Sequence, residues 1–465
     1  MNNKVVILIV VIFLAVCACA ALIGLGGAAL FLTSDDVQSQ ITSMPLLATV
    51  EALPLSATPL ASNGNVPQDT ASQMDEIQRQ VETIRGLHAV ETLDRNTMSP
   101  DELRKQVEED FFKDYSAEDA RKDNVILSTF GLLDPKVDLY QLFVDIYSEQ
   151  ISGYYDNTTK SMFVIQGEEF LGTERMTYAH EFTHALQDQT YDIENGLNYN
   201  DETCKQDTEY CAAVQSLMEG DATLTEENWF SQYATAQDLK DVQNFYQNYQ
   251  SPVYDSAPDF LQEDFMFPYS QGYDFVQSLY QSGGYAAVDQ AYLNPPVSTE
   301  QIMHPERYPA DQPVKVSLPD IQRYLGAGWE ELDNNTLGEW YTYLLLAYGE
   351  QRNARLNQDV ASEAAEGWGG DQYVIYEQTQ SHALVLVLRQ TWDSAADAQE
   401  YQDAFLSYAQ KRWNRYDSNA NGIYRWSNTP DGEVRFIELG NDTIWLIAPD
   451  TSLTDQILNL FPENF

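Results

Sequence analysis

Two of the chain's five histidines stand four residues apart, and a glutamate directly follows the first: His180-Glu181-Phe182-Thr183-His184. On an α-helix, positions i and i+4 share one face with side chains about 6 Å apart, so both imidazoles can bind one ion. Glu181 lies about 100° round the helix, beside the ion instead of on it, where it can take a proton from water. Zinc suits such a site. It binds imidazole well, tolerates four- or five-fold geometry and lowers the pKa of water to about 7. HExxH on a helix carries that mechanism.

A catalytic zinc takes three protein ligands. The sequence after the motif, HALQDQT, has Gln187 and no glycine, so the longer HExxHxxGxxH arrangement is excluded. The third ligand is expected from a second helix, and Glu219 in SLMEGDATL is the first candidate. It follows Leu217 and Met218 on an apolar stripe, and Gly220 lets another backbone come close. Asp221, Glu226 and Glu227 are rivals. For steadying an oxyanion, His304, Tyr308 and Tyr269 are candidates by residue type alone. His88 and His382 have no partner in sequence, and His382 reads as packing at the start of a strand.

These residues need elements to hold them. Helical spacing begins near Met74, with Ile77, Val81, Ile84 and Leu87 on one side. Ser99-Pro100-Asp101-Glu102 combines a cap, a first-turn proline and a capping-box glutamate, so it starts a second helix. Another helix begins at Leu139. ISGYYDNTTKSMFVIQ reads as two short strands around an Asx/Thr turn. Thr173 can cap the motif helix from Glu174 to about Gln189, and a further helix covers roughly Ala212 to Tyr233. Past about residue 330 the order is strand, strand, helix, strand, strand, helix, with a hairpin at Gly440-Asn441-Asp442, which predicts an antiparallel α+β module. Asp417-Ser418-Asn419-Ala420-Asn421-Gly422 imitates the start of a calcium loop, but Asn428 stands where the bidentate glutamate is needed, so it reads as a helix-to-strand turn.

The front of the chain differs in kind. Val5 to Leu32 carries no charge, which exceeds the roughly 20 residues a helix needs to cross a bilayer. With Lys4 before it and Asp35 and Asp36 after it, a signal anchor with the bulk of the chain outside the cytoplasm is expected. Cleavage after Ala18-Cys19-Ala20, or lipidation of Cys17 or Cys19, would place the rest on the same side. Residues 33–72, rich in Ser, Thr, Ala, Pro and Gln, read as a flexible linker. In an oxidising compartment Cys204 and Cys211 suit a short disulfide-closed loop. A net charge of −47 repels nucleic acid and anionic lipid headgroups, so no nucleic-acid partner is expected.

The motif with Glu219 resembles the HExxH-plus-glutamate zinc metallopeptidases of the gluzincin type. The wider run, from GYYDNTTK through AHEFTHALQDQ and MEGDA to HPERYP, also resembles a set of uncharacterised bacterial membrane-anchored HExxH proteins over residues 75–393. The resemblance implies His180, His184 and Glu219 as zinc ligands and Glu181 as general base. It also implies an edge strand, expected at residues 161–165, that pairs with an extended substrate. Many gluzincins carry an aspartate four residues after the glutamate ligand. Thr223 stands there, so Asp188 or Asp221 is expected to support a histidine instead.

The expected protein is an α+β chain. It has a transmembrane signal anchor (1–32), a linker (33–72), a mainly helical zincin-like metallopeptidase domain with a small hairpin sheet (73–325) and a C-terminal antiparallel α+β module (326–465). Its expected activity is hydrolysis of peptide bonds in a peptide or protein substrate, with Zn2+ as cofactor and the membrane as the anchor's partner. A surface binding protein with a structural zinc, or a zinc hydrolase of a non-peptide bond, would use the same motif.

Overall fold

The computed structural model describes residues 61–62, 64–113, 115–165, 169–420 and 422–461. The expected anchor and most of the linker lie outside these residues. Among the described residues no helix is long and apolar enough to cross a membrane.

The chain is α+β, with two sheets joined through a helical layer. The small sheet comprises β1 (Ala61–Ser62), β2 (Leu93–Met98), β3 (Gly153–Asp156) and β4 (Ser161–Ile165), in the order β1-β2-β4-β3. β3 and β4 form the expected hairpin, and Asp156 Oδ1 accepts from the Thr158 and Thr159 amides at 2.8 and 3.1 Å, closing the turn. One expectation is corrected. Residues 161–165 are not an edge, because β2 pairs in parallel along β4 and leaves β3 at the border.

The helices that build the site are α1 (Gln68–Arg85), α2 (Leu139–Gln150), α3 (Gly172–Tyr191), α4 (Thr208–Tyr233) and α5 (Asp259–Gly283). α1 starts at Gln68 and buries Thr70 and Ala71, so the expected linker gives way to helix before Met74. The capping box at Ser99 forms as its sequence predicts, with Ser99 accepting from the Glu102 amide and Glu102 accepting from the Ser99 amide. α3 begins at Gly172, two residues before the expected start, and Glu174 accepts from the Leu171 amide at 3.1 Å. α4 and α5 cross closely at two glycines. A Cβ on Gly220 would stand 2.0 Å from the Gly272 carbonyl oxygen, and one on Gly272 would stand 2.2 Å from that of Ser216. The Cys204–Cys211 disulfide is present, with Cα atoms 5.4 Å apart, and ties the short helix Asp201–Gln206 to the first turn of α4.

The second sheet has seven antiparallel strands: β5 (Trp329–Asn335), β6 (Trp368–Gln378), β7 (Leu384–Trp392), β8 (Ser418–Ala420), β9 (Ile423–Thr429), β10 (Gly432–Leu439) and β11 (Asp442–Ala448), in the order β5-β6-β7-β11-β10-β9-β8. Its central strands are apolar on both faces because both are covered. Leu386 and Leu388 face the main core, whereas Val385 and Val387 face a smaller cluster beneath the terminal helix Thr451–Leu458. The expected strands and helices are present in the expected order, with β5, the helices Gly338–Tyr348 and Gln358–Ala365 and the β8–β9 hairpin added. That hairpin replaces the helix-to-strand turn expected at 417–422. His382 stands exposed in the β6–β7 turn and bonds Glu377 at 2.9 Å, instead of packing in a strand. The two units expected to divide near residue 325 share one apolar core, in which Phe130 meets Tyr373 and Trp445 edge-on at 5.1 and 5.9 Å.

Candidate metal centre

α3 packs against α1, α4 and the edge strand β3, so its motif is buried on every side. His180 and His184 lie on the face toward α4, where Glu219 meets them. The two Nε2 atoms are 3.0 Å apart, and Glu219 Oε2 is 3.2 Å from that of His180 and 3.3 Å from that of His184. The point equidistant from these three atoms lies roughly 1.8 Å from each, near the about 2.0–2.2 Å of zinc–nitrogen and zinc–oxygen bonds.

The other ring nitrogens decide what the three atoms can do. Glu226 Oε2 lies 3.0 Å from His180 Nδ1. A carboxylate can only accept, so this Nδ1 carries a proton. Gln187 does the same for His184. Its Nε2 donates to the Met218 carbonyl and to Asp221, each at 3.0 Å, which leaves Oε1 to accept from His184 Nδ1 at 2.9 Å. The two Nε2 atoms and Glu219 Oε2 therefore converge on one point, and two imidazoles with one carboxylate form a zinc donor set once the Nε2 atoms are unprotonated.

Glu181 stands beside this triangle, fully buried, with no side chain among the described residues bonded to its carboxylate. Burial pushes its carboxyl up to about 7, against the pull of both histidines and the Tyr155 amide. Burial also works on Glu219, but the histidines outweigh it and hold that carboxyl below its usual range. Gly153 in β3 makes room here, since a Cβ would meet Thr177 Cγ2 at 2.6 Å and Glu181 Cγ at 3.4 Å. A cavity of about 240 Å³, lined in part by Ser152, Thr177, Glu226 and Tyr246, lies beside the cluster.

Of the rival ligands, Glu226 holds the far side of His180 and Glu227 accepts from the Tyr273 hydroxyl at 2.5 Å. Asp221 pairs with the buried Arg85 at 2.8 Å and accepts from Tyr292 at 2.9 Å. It reaches His184 only through Gln187, which corrects the expected direct support. Asp188 accepts from Tyr155 and Lys160 at 2.7 and 2.5 Å and so ties the hairpin to α3, not a histidine to the site. The Tyr269 ring lies 6.4 Å from that of His180. His304 bonds Glu339 at 2.8 Å and Tyr308 donates to the Asn294 carbonyl at 2.7 Å, so neither is brought to the cluster. Sequence reasoning missed Gln187 and Arg85. Gln187 was legible, three residues after His184 on the same helix. Arg85 was not, because nothing local links it to Asp221.

Residues 322–458 match the model of a family described as a domain of unknown function (DUF8575). That stretch covers the large sheet and contains none of the four motif and ligand residues. No curated protein and no solved structure matches the chain.

Proposed function

We propose that this protein is an extracytoplasmic, membrane-anchored zinc-dependent peptidase, with a zincin-like arrangement of the gluzincin type in its helical part. The observation that carries the reading is the convergence of His180 Nε2, His184 Nε2 and Glu219 Oε2 within 3.3 Å, with both Nδ1 atoms committed to acceptors. These three residues would hold zinc, which supplies Lewis acidity when bound. Glu181 accepts a proton from the attacking water and passes it to the leaving amine. The border strand β3 packs on Glu181 and fixes it against the small sheet. The disulfide supports an oxidising compartment, and the apolar run Val5 to Leu32 supports the anchor.

A mixed peptide library tests this. New amino termini should appear, a chelator should suppress them, and Glu181→Gln should lower the rate by about 10²–10⁴-fold while zinc stays bound. Cleavage by Glu181→Gln at the parent rate would remove the assigned base.

One observation favours a second reading, a binding protein with a structural zinc. His180, Glu181 and His184 are 0% exposed and Glu219 is 1% exposed. Zinc retained at one equivalent, with no amino termini released from any peptide, would favour it.

A further inference from the structure

A second cavity, of about 190 Å³, lies farther back along α4. Ala212 and Gln215 line it, and Glu219 follows Gln215 by one turn, about 6 Å along the axis. Tyr269, whose ring packs on His180, lines it as well. α2 borders both cavities. Its residue Tyr147 faces this one, and the next residue, Ser148, faces the one beside Glu226. The ligand triangle thus lies between two cavities along α4.

The wall of this cavity has a distinct chemistry. Nine of its lining residues are aromatic and three are carboxylates, Asp123, Glu209 and Asp264; among the described residues that line it, none carries a positive charge. Asp264 is fixed by the Trp340 indole N–H at 2.9 Å and the Tyr341 hydroxyl at 2.7 Å. Glu209 accepts from the Thr299 amide and hydroxyl at 2.6 and 2.7 Å. Burial pushes both carboxyls above their usual range, and a bound cation would reverse that direction. Aromatic faces attract cations, and a guanidinium can stack on a ring while it forks onto a carboxylate. An apolar stem ending in a positive charge therefore fits this wall better than a neutral or acidic group.

We infer that this cavity receives a basic side chain, arginine or lysine, of the substrate peptide. As a substrate subsite it rests on the peptidase reading; as a cation pocket it does not. Calorimetric titration of the full chain separates the two. The N-acetyl amides of arginine and lysine are compared with those of citrulline and norleucine, their uncharged near-isosteres. At least one basic amide should bind roughly tenfold or more tightly than its neutral counterpart. Asp264→Asn should shrink that ratio to about threefold or less. Should that variant fail to fold by circular dichroism, Glu209→Gln carries the same expectation. Equal affinities, or no binding by any of the four, overturn the inference. In the peptide library, arginine or lysine should be enriched next to the cleaved bond. Cleavage without that enrichment overturns the subsite role. Basic amides bound selectively with no cleavage of any peptide overturn the peptidase reading and leave a cation-binding pocket.

Discussion

The Nδ1–H of His180 donates to Glu226 at 3.0 Å, while Nε2 of the same ring faces Glu219 at 3.2 Å. Two carboxylates on one helix thus address the two nitrogens of one imidazole, one from within the ligand triangle and one from behind it. Two turns of α4 separate them, so one rigid rod sets the ring's tautomer and its position together.

Removing the rear partner should be felt at the metal. Glu226→Ala is expected to weaken zinc affinity by about 10–100-fold, measured by competition with a chromogenic chelator. Gln187→Leu should act in the same direction, because it leaves the His184 Nδ1–H buried without its acceptor. Parent affinity in both variants would mean that the rear nitrogens play no part in holding the ligands.

The helix crossing makes a separate prediction. Gly220→Ala pushes a methyl into the Gly272 carbonyl, so α4 and α5 must part. Overpacking of this kind costs about 1–3 kcal/mol or more. Urea midpoints should fall, and zinc affinity should fall with them because Glu219 is the adjacent residue. A variant as stable as the parent would show that the crossing tolerates a side chain.

Arg85 and Asp221 are both fully buried and 2.8 Å apart. Breaking such a pair leaves an uncompensated charge in the interior, at a cost of about 3–5 kcal/mol. Arg85→Met should show that loss in chemical denaturation, although Arg85 touches no ligand. A loss under about 1 kcal/mol would mean that Asp221 finds other partners.

Glu300 gives the pH dependence a sign. Burial, then the nearby Glu339, pushes its carboxyl from 4.5 up to about 8, despite Arg307 at 2.5 Å. Between those values the folded chain holds a proton that the unfolded chain has released. This site's contribution to stability is therefore lost as pH rises from about 4.5 through about 8. Glu300→Gln cannot ionise, so its melting temperature relative to the parent should climb between pH 5 and pH 8.5. A constant difference across that range would contradict the assignment.

The sequence by itself determined the motif's face, its helix, the hairpin before it and the role of Gly220 as a close-approach point. Each follows from spacing or local conformational preference within a few residues. It also placed the strands that become β6, β7, β10 and β11, because their apolar runs mark burial on both faces. Tertiary structure alone decided which strand is the edge. The polar segment Leu93–Met98 pairs along β4, and no periodicity announces that. It also sorted four acids on one helix into one that meets both Nε2 atoms, one behind His180, one paired with Arg85 and one on a tyrosine. Their local sequences look alike, and only partners brought in from α1, α3 and α5 distinguish them. Spacing fixes where a side chain can point, but what waits there depends on how distant segments pack.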